Sequence, residues 1–328
     1  MSVVKTIFKK VPGIFWGIIL ATILFSFAAP GFTKLANIEN ILKNASILMI
    51  VAIGMTLAIL LGKIDISISG TMAAVGMVCA VYLTSMEEPT AVHVLIGVVI
   101  ALVMGALLGS INGLFIGVLK YDYWLVTFST MSITLGLAQI VTGGYLVAGF
   151  NKTVRFLGDG SIAGVSTLIY IAVILVAVMI VIMRNTRFGM HIYAIGDSEQ
   201  CAQLSGVNVK WTIFAAYALS GMFAGLGGIL LLSKTNSMGP TSTDSYAFNA
   251  IAAVIVGGTS FSGGKGGLGG TVLGALFITI IKAGLPLIGL SAYWQQACIG
   301  IFILAIIIVD VVGERVKMIQ ATRRVYHD

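Results

Sequence analysis

Long apolar runs, each able to cross a lipid bilayer, dominate this sequence. The run from Ala91 to Leu119 contains no Asp, Glu, Lys or Arg, and a helix needs about 20 residues to span the hydrocarbon core. Only 9% of the 328 residues are charged and 58% are hydrophobic, whereas about a quarter of a soluble domain is charged. The chain is therefore expected to be an integral membrane protein without an additional soluble domain.

Ten such runs can be placed along the chain. The sequence therefore predicts an all-α membrane protein of about ten transmembrane helices, forming one domain over residues 1–328. In chain order the runs are Ile14–Ala29, Ser46–Leu61, residues 71–85, Ala91–Leu119, Trp124–Ala148, Val165–Met183, Trp211–Ser233, Ala247–Ser260, Thr271–Leu285 and Ala292–Val312. Pro30–Lys43 is expected to be a polar connection, and Gly149–Gly164 an outer loop.

The charged residues between the runs indicate how the chain is oriented. Lysines precede the first run, and residues 313–328 form a basic tail. Because Lys and Arg accumulate in cytoplasmic loops, both termini and the loop at 184–210 are expected to be cytoplasmic. The acidic turn at Glu87 and Glu88 suits the outer face. The net charge of +7 then reflects this loop bias, and it does not indicate a nucleic-acid partner.

The polar stretch from Arg184 to Gly206 is the longest one between apolar runs, and it must lie outside the hydrocarbon. Its second half reads as a short helix, with Asp197 or Ser198 as the N-cap and Glu199 in the first turn, where the helix dipole favours an anion. Gly206 suits the helix end. Such a helix could dock a soluble cytoplasmic partner, or the stretch could be an ordinary solvated loop.

Glycine and polar residues interrupt the apolar pattern twice, around Asp65 and around Lys265. One interruption lies in each half of the chain, and residues 220–228 loosely repeat residues 104–113. This pattern suggests two weakly related halves, and paired interruptions point to a transport pathway. The forty glycines suggest closely packed helices, since small residues let helix backbones approach in lipid.

Several polar and aromatic residues are candidates for a pathway. Asp65 and Ser67 either line that pathway or cap the helix that follows them. Amide and aromatic side chains suit a ligand rich in hydroxyl groups. The remaining pathway candidates are Asn112, Trp124, Thr127, Phe128, Gln139 and Asn249. Lys282 is expected to extend its ammonium group towards the membrane surface.

The sequence contains no recognisable catalytic or metal-binding signature. Its three histidines are far apart, and Cys79, Cys201 and Cys298 lack metal-ligand spacing. The glycine-rich segment around Lys265 is not a phosphate-binding loop, because Thr259 and Gly266 stand where that motif needs glycine and Ser or Thr. No catalytic residue, metal or cofactor is therefore assigned to this chain, and energy for uphill transport would come from another subunit.

A series of short motifs follows one after another over nearly the whole chain. These motifs are Gly54–Thr56, Ile64–Ser67, Leu125–Thr127, Arg184–Gly189, Tyr193–Val209, Ser220–Gly228 and Ala250–Gly266. In this order they make the sequence resemble a family, the permease subunits of bacterial ribose-, xylose- and galactose-type sugar ABC importers.

The resemblance implies the ABC importer permease fold, an inner-membrane location and a coupling helix that docks an ATPase subunit carrying ATP and Mg²⁺. The coupling residues would be Arg187, Gly196, Asp197, Ser198, Glu199, Ala202, Leu204 and Gly206. It also implies a homodimer or a heterodimer with a similar permease, an extracytoplasmic sugar-binding protein and a small sugar substrate. The alternatives are a permease for nucleosides or branched-chain amino acids, and a self-sufficient facilitator or channel.

The chain departs from the family pattern in ways that bear on substrate and assembly. Lys63 replaces the second glycine before the Ile-Asp-Leu-Ser motif, and Asn249 replaces an aspartate in the usual Tyr-Glu-Leu-Asp sequence. Gln200 and Cys201 replace alanines in the coupling loop. These changes leave the particular sugar open and favour one half of a heterodimeric pair.

Overall fold

A computed structural model describes residues 13–291, together with residues 294, 295, 297, 298, 300, 301, 304 and 308. The fold consists of helices joined by short connections, one small β-hairpin (β2 with β3) and one antiparallel pair of distant strands (β1 with β4). The helices are α1 Gly13–Ala28, α2 Leu35–Leu60, α3 Ser67–Thr84, α4 Ala91–Gly113, α5 Tyr123–Thr142, α6 Lys152–Asp159, α7 Thr167–Asn185, α8 Arg187–Asp197, α9 Glu199–Leu204, α10 Val209–Thr235, α11 Tyr246–Val256 and α12 Leu268–Leu287. The strands are β1 Val147–Ala148, β2 Ser161–Ile162, β3 Val165–Ser166 and β4 Ser237–Met238.

Seven helices among the described residues are long and apolar enough to cross a membrane, namely α2, α3, α4, α5, α7, α10 and α12. Helix α4 continues into a π-helical segment at Leu114–Val118. The shorter apolar helices α1 and α11 account for two more of the ten predicted segments. The predicted run Ala292–Val312 and the basic tail lie mostly or wholly outside the described residues. The prediction of an all-α membrane protein with about ten helices is confirmed.

The expected polar connection Pro30–Lys43 is wrong from Leu35 onward, because these residues form the first turns of α2. The Nζ atom of Lys43 lies 2.8 Å from Glu39 of the same helix and 2.9 Å from Asp159 of α6. The polar residues therefore extend the helix beyond its apolar part and pair with a neighbouring element. The expected loop at 149–164 likewise contains a helix, α6.

Alternation of the helices places the connections on two faces of the molecule. The face that carries the turn at Glu87 and Glu88 also carries α6, the β2–β3 hairpin and the β1–β4 strand pair, and we call it the acidic-turn face. The face that carries residues 61–66, 119–122, 186–208 and 257–267 is called the basic-loop face. The core between them is formed by α2, α3 and α10, each 78% buried in its most apolar part, whereas α4, α5 and α7 are at most 28% buried there. The latter three therefore face the surroundings.

Helices α4 and α10 cross closely, with glycines at the contact. A Cβ atom on Gly105 would overlap the backbone of Gly221, and one on Gly109 would overlap the carbonyl oxygen of Tyr217. Gly225 packs on the backbone of Ala101 in the same way. Small residues four apart on both helices let the backbones touch, as in other membrane helix pairs. The two sequence segments that resemble each other, 104–113 and 220–228, thus pack directly against each other.

Candidate functional site

The polar stretch at 184–210 folds into two consecutive helices, α8 and α9. Ser198 is the N-cap of α9, because its side chain accepts a hydrogen bond of 3.2 Å from the backbone N–H of Cys201. Asp197 is instead the last residue of α8. Gly206 follows α9 with a φ of +84°, a conformation that glycine adopts without strain. The predicted short helix is present, and the first half of the stretch is helical as well.

Glu199, the first residue of α9, joins the helix to two other connections. Its carboxylate lies 2.5 Å from the Nζ atom of Lys120 and 3.6 Å from that of Lys63. Partial burial acts to raise the pKa of Glu199, but the hydrogen bond and charge of Lys120 and the charge of Lys63 outweigh it and hold that pKa below its usual value. Lys63 also lies 5.9 Å from the ring centroid of Tyr123. The α9 helix is thus tied to the ends of α2, α4 and α5.

Backbone contacts join α8 to both glycine-rich interruptions of the chain. The N–H of Gly264 donates a hydrogen bond of 2.9 Å to the carbonyl oxygen of Leu60, the last residue of α2. Gly196 of α8 lies so close to both residues that a Cβ atom there would overlap them. The hydroxyl of Tyr193 also donates a hydrogen bond of 3.0 Å to the carbonyl of Gly266. We call this arrangement of α8 and residues 60–62 and 263–266 the glycine junction.

The outer surface of α8 and α9 combines charged and apolar side chains. Leu204 is 82% exposed, and Met190 is also exposed. Arg187 and Asp197 are exposed beside them, whereas Ala202 is buried against the rest of the molecule. This surface thus offers apolar and charged groups together to whatever packs against it.

Asp65 and Ser67, two candidate pathway residues, lie in a fully buried polar network. Asp65 accepts hydrogen bonds from the backbone N–H of Ser67 at 3.1 Å, from its hydroxyl at 2.5 Å, and from the hydroxyl of Ser220 at 2.7 Å. Asn112 donates to the hydroxyl of Ser67 at 2.8 Å and accepts from Thr130 at 2.6 Å. The network joins the start of α3 to α4, α5 and α10. Asp65 thus satisfies the backbone N–H of the first residue of α3 from the position before the N-cap, Ile66.

The pathway candidates on α5 lie apart from that network. Trp124, Phe128 and Gln139 are exposed, and their spacing places them on one face of the helix. Thr127 is buried, and its hydroxyl donates to the carbonyl oxygen of Tyr123 in the preceding turn at 2.8 Å. The exposed face of α5 is therefore available to a partner or to a passing solute.

Asn249, the last pathway candidate, lines a cavity of about 350 Å³ between α2, α11 and α12, which opens near the acidic-turn face. Most of the other lining side chains are polar. The remaining lining residues are Asn37, Asn40, Asn44, Leu48, Tyr246, Thr279, Lys282, Ala283, Pro286, Leu287 and Gln295. Volumes of roughly 300–1,000 Å³ are usual for small-molecule sites, so this cavity suits a small ligand.

Several residues of these sites were not predicted from the sequence. Lys120, Ser220 and Thr130 are not among the candidate residues of the sequence analysis. One signal was present for the cavity: Asn37, Asn40 and Asn44 follow a spacing of three and four residues, which places them on one helix face. That signal was missed because the segment was assigned to a connection.

Among the described residues, the structure shows no group of three His, Cys, Asp or Glu side chains that could hold a metal ion. The three cysteines are free, with Cys79 buried and Cys201 exposed on α9. The chemical means available at these sites are therefore hydrogen bonds, ion pairs and apolar contact.

Comparison with known proteins gives consistent matches over most of the chain. Residues 37–307 match the family described as branched-chain amino acid transport system, permease component. The ribose import permease protein of Haemophilus influenzae is 35% identical over 300 residues, 90% of this chain and 91% of that protein. The galactose/methyl galactoside import permease protein of Escherichia coli strain K12 is 32% identical over 317 residues, 92% of this chain and 94% of that protein.

A third relative, the ribose import permease protein of Bacillus subtilis strain 168, is 34% identical over 304 residues, 91% of this chain and 92% of that protein. No solved structure matches the chain. All three relatives carry the word permease in their names, and each is covered over nearly its full length.

Proposed function

This chain belongs to the family described as branched-chain amino acid transport system, permease component, and we propose that it is the permease subunit of an ATP-driven importer for a monosaccharide. As a member of that family it is a multi-pass membrane transport component rather than an enzyme. The observation that carries the substrate class is the similarity, over 90% of the chain or more, to permeases named for ribose and for galactose. A pentose, a hexose or a related small sugar is the proposed cargo.

The surface of α8 and α9 is proposed to dock an ATPase subunit, which binds and hydrolyses ATP with Mg²⁺. The exposed apolar side chains of Leu204 and Met190 on this surface support this role, because contact with a partner would remove them from water. Movement of α9 would reach α2, α4 and α5 through Glu199 and through the glycine junction. The residues proposed to couple are Arg187, Gly196, Asp197, Ser198, Glu199, Ala202, Leu204 and Gly206.

The basic-loop face would then be cytoplasmic, with both termini on that side of a bacterial inner membrane. A soluble sugar-binding protein would approach the acidic-turn face, which carries α6 and the two strand pairs. A second permease, identical or similar, would pack in the membrane beside this one. The exposed face of α5, with Trp124, Phe128 and Gln139, supports a pathway at such an interface.

A mild-detergent purification of the chain from its native membrane, followed by mass spectrometry, tests the assembly. Recovery of an ATPase, and of either one or two kinds of permease, is expected. Uptake of labelled ribose, galactose, leucine and uridine by cells that contain the complex then tests the substrate class. Uptake of leucine or uridine in preference to both sugars, or flux through the chain alone without any ATPase, would overturn the proposal.

A further inference from the structure

The cavity at the acidic-turn face contains an ammonium group without a counter-ion. Lys282 of α12 is partly buried among the lining side chains, and no hydrogen bond or ion pair joins it to any residue in the described part of the chain. Lys234 of α10 adds a second ammonium beside the cavity, since it donates a hydrogen bond to the lining residue Asn44 at 2.5 Å.

The described residues that line this cavity include no carboxylate. The nearest acids along α2 and α6, Glu39 and Asp159, are already paired with Lys43. Removing an ammonium group from water is costly unless an anion or several acceptors replace the water. Lys282 therefore lacks a permanent partner in the described protein, which a ligand could supply.

The rest of the lining carries side chains that can form hydrogen bonds with hydroxyl groups. Asn249 uses its amide N–H to bond Ser245 at 3.2 Å, and its amide oxygen is not used in that bond. Asn37 donates to the carbonyl of Phe32 at 2.8 Å and Asn40 accepts from Asn44 at 3.2 Å, so a ligand could use the amide oxygen of Asn37 and the amide N–H₂ of Asn40. Tyr246 adds a hydroxyl. Amide groups both donate and accept, so they match hydroxyls in either role.

We propose that this cavity binds a small hydroxylated anion, with Lys282 pairing with the negative charge and the asparagine amides binding the hydroxyl groups. A sugar acid or a sugar phosphate fits this chemistry, and so does the glycerol phosphate headgroup of an anionic lipid. The proposal deepens the proposed import function, on which it rests, because it names the class of sugar that the cavity selects.

Binding of labelled ribonate, ribose 5-phosphate and ribose to the purified full chain in phosphatidylcholine nanodiscs tests the proposal. We expect the two anions to bind at least about tenfold more tightly than ribose, which corresponds to about 1.4 kcal/mol. Lys282→Met should abolish this preference, and Lys282→Arg should keep it. Lys152→Met removes an exposed charge from the same face and is the matched control.

Equal binding of ribose and ribonate by the wild-type chain would overturn the inference, and so would an unchanged preference in Lys282→Met. Phosphatidylglycerol in the nanodisc distinguishes the two sources of the anion. Competition by this lipid would assign the cavity to a headgroup, and an unchanged ribonate curve would assign it to a soluble ligand. ATP-driven uptake of ribose and ribonate at equal rates would contradict the proposal that the cavity selects an anion, and it would leave the proposed import function intact.

Discussion

The N–H of Gly264 donates a hydrogen bond of 2.9 Å to the carbonyl oxygen of Leu60, and so joins the connections that follow α11 and α2. These connections come from opposite halves of the chain. Gly196 of α8 packs against both of them without any side chain in between. Backbone-to-backbone contact leaves little room for independent movement. We therefore expect a displacement of α8 to move the ends of α2 and α12 at the basic-loop face as well.

Replacing Gly196 with alanine tests whether this junction transmits motion. The new Cβ atom would overlap Leu60 and Gly264, and overpacking of this kind costs roughly 1–3 kcal/mol. We expect the Gly196→Ala complex to insert in the membrane and to lose most of its transport-linked ATP hydrolysis, measured in proteoliposomes. Gly269→Ala, at a helical position with open space around it, is the control. Normal transport-linked ATP hydrolysis in Gly196→Ala would show that α8 can move away from residues 60–62 and 263–266 without loss of coupling.

Replacing Glu199 with lysine should uncouple transport from ATP hydrolysis without preventing insertion. The new charge would face Lys63 and Lys120, which now attract the carboxylate. Glu199→Gln should have a smaller effect, because the amide can still accept a hydrogen bond from Lys120. Uptake and ATPase rates measured on the same proteoliposomes check this order. Normal sugar uptake in Glu199→Lys would contradict the role assigned to α9.

The lowered pKa of Glu199 gives the attachment of α9 a defined pH dependence. A carboxyl whose folded pKa lies below its unfolded value stabilises the folded state above the unfolded value, near pH 4.5. That contribution is lost as the pH falls through the folded pKa. The protection factors of the α9 amides, which correct for the slower intrinsic exchange at low pH, should therefore decrease at acidic pH in the wild type. Glu199→Gln should exchange faster already at neutral pH and should show less further change on acidification.

The fold class could be predicted because the apolar runs are long, and the length of a helix that crosses lipid is fixed by the bilayer. The start of α2 could not, because its first turns carry Asn37, Asn40 and Lys43, which read as a connection. They are stable as a helix only through tertiary partners, such as the pairing of Lys43 with Asp159. Such a pair, 116 residues apart, leaves no local signal in the sequence.

At the candidate sites, too, features set by local sequence could be predicted and contacts between distant residues could not. Ser198 and Gly206 were predicted because caps obey local rules of backbone conformation. The partners of Glu199 were not, since Lys63 and Lys120 lie on separate connections that meet only in three dimensions. For Asp65 the sequence leaves two interpretations open, and its contact with Ser220 could not be predicted, because that residue lies 155 positions away in the chain.

The glycine crossing between α4 and α10 should tolerate no large side chain. Gly109→Leu would place a side chain in the backbone of Tyr217 and Gly221, so we expect failure to assemble in the membrane and rapid degradation. Gly136→Leu on α5 meets nothing within 4 Å and is the matched control. Fluorescence-detected size-exclusion chromatography of tagged variants measures the yield of monodisperse protein. A normal elution profile for Gly109→Leu would show that the two helices can separate.

Substitutions at Asp65 distinguish a capping residue from a residue of the pathway. Asp65→Ala leaves the hydroxyls of Ser67 and Ser220 without their acceptor in a buried site, and each unsatisfied group costs roughly 1–3 kcal/mol. We therefore expect a clear drop in the unfolding temperature of the detergent-purified chain, whereas Asp244→Ala, at an exposed position, should not change it.

Asp65→Asn separates the capping interpretation from the pathway interpretation, because it removes the charge and keeps groups that can form hydrogen bonds. The amide oxygen can still accept the hydrogen bonds from Ser67 that cap α3, and the amide N–H₂ can donate to Ser220 after its hydroxyl rotates. A capping residue needs this hydrogen-bonding capacity and no charge, so Asp65→Asn should retain most of the wild-type transport rate in proteoliposomes. A variant that melts like the wild type but carries no sugar would show that the charge of Asp65 acts on the solute, and the pathway interpretation would then replace the capping one.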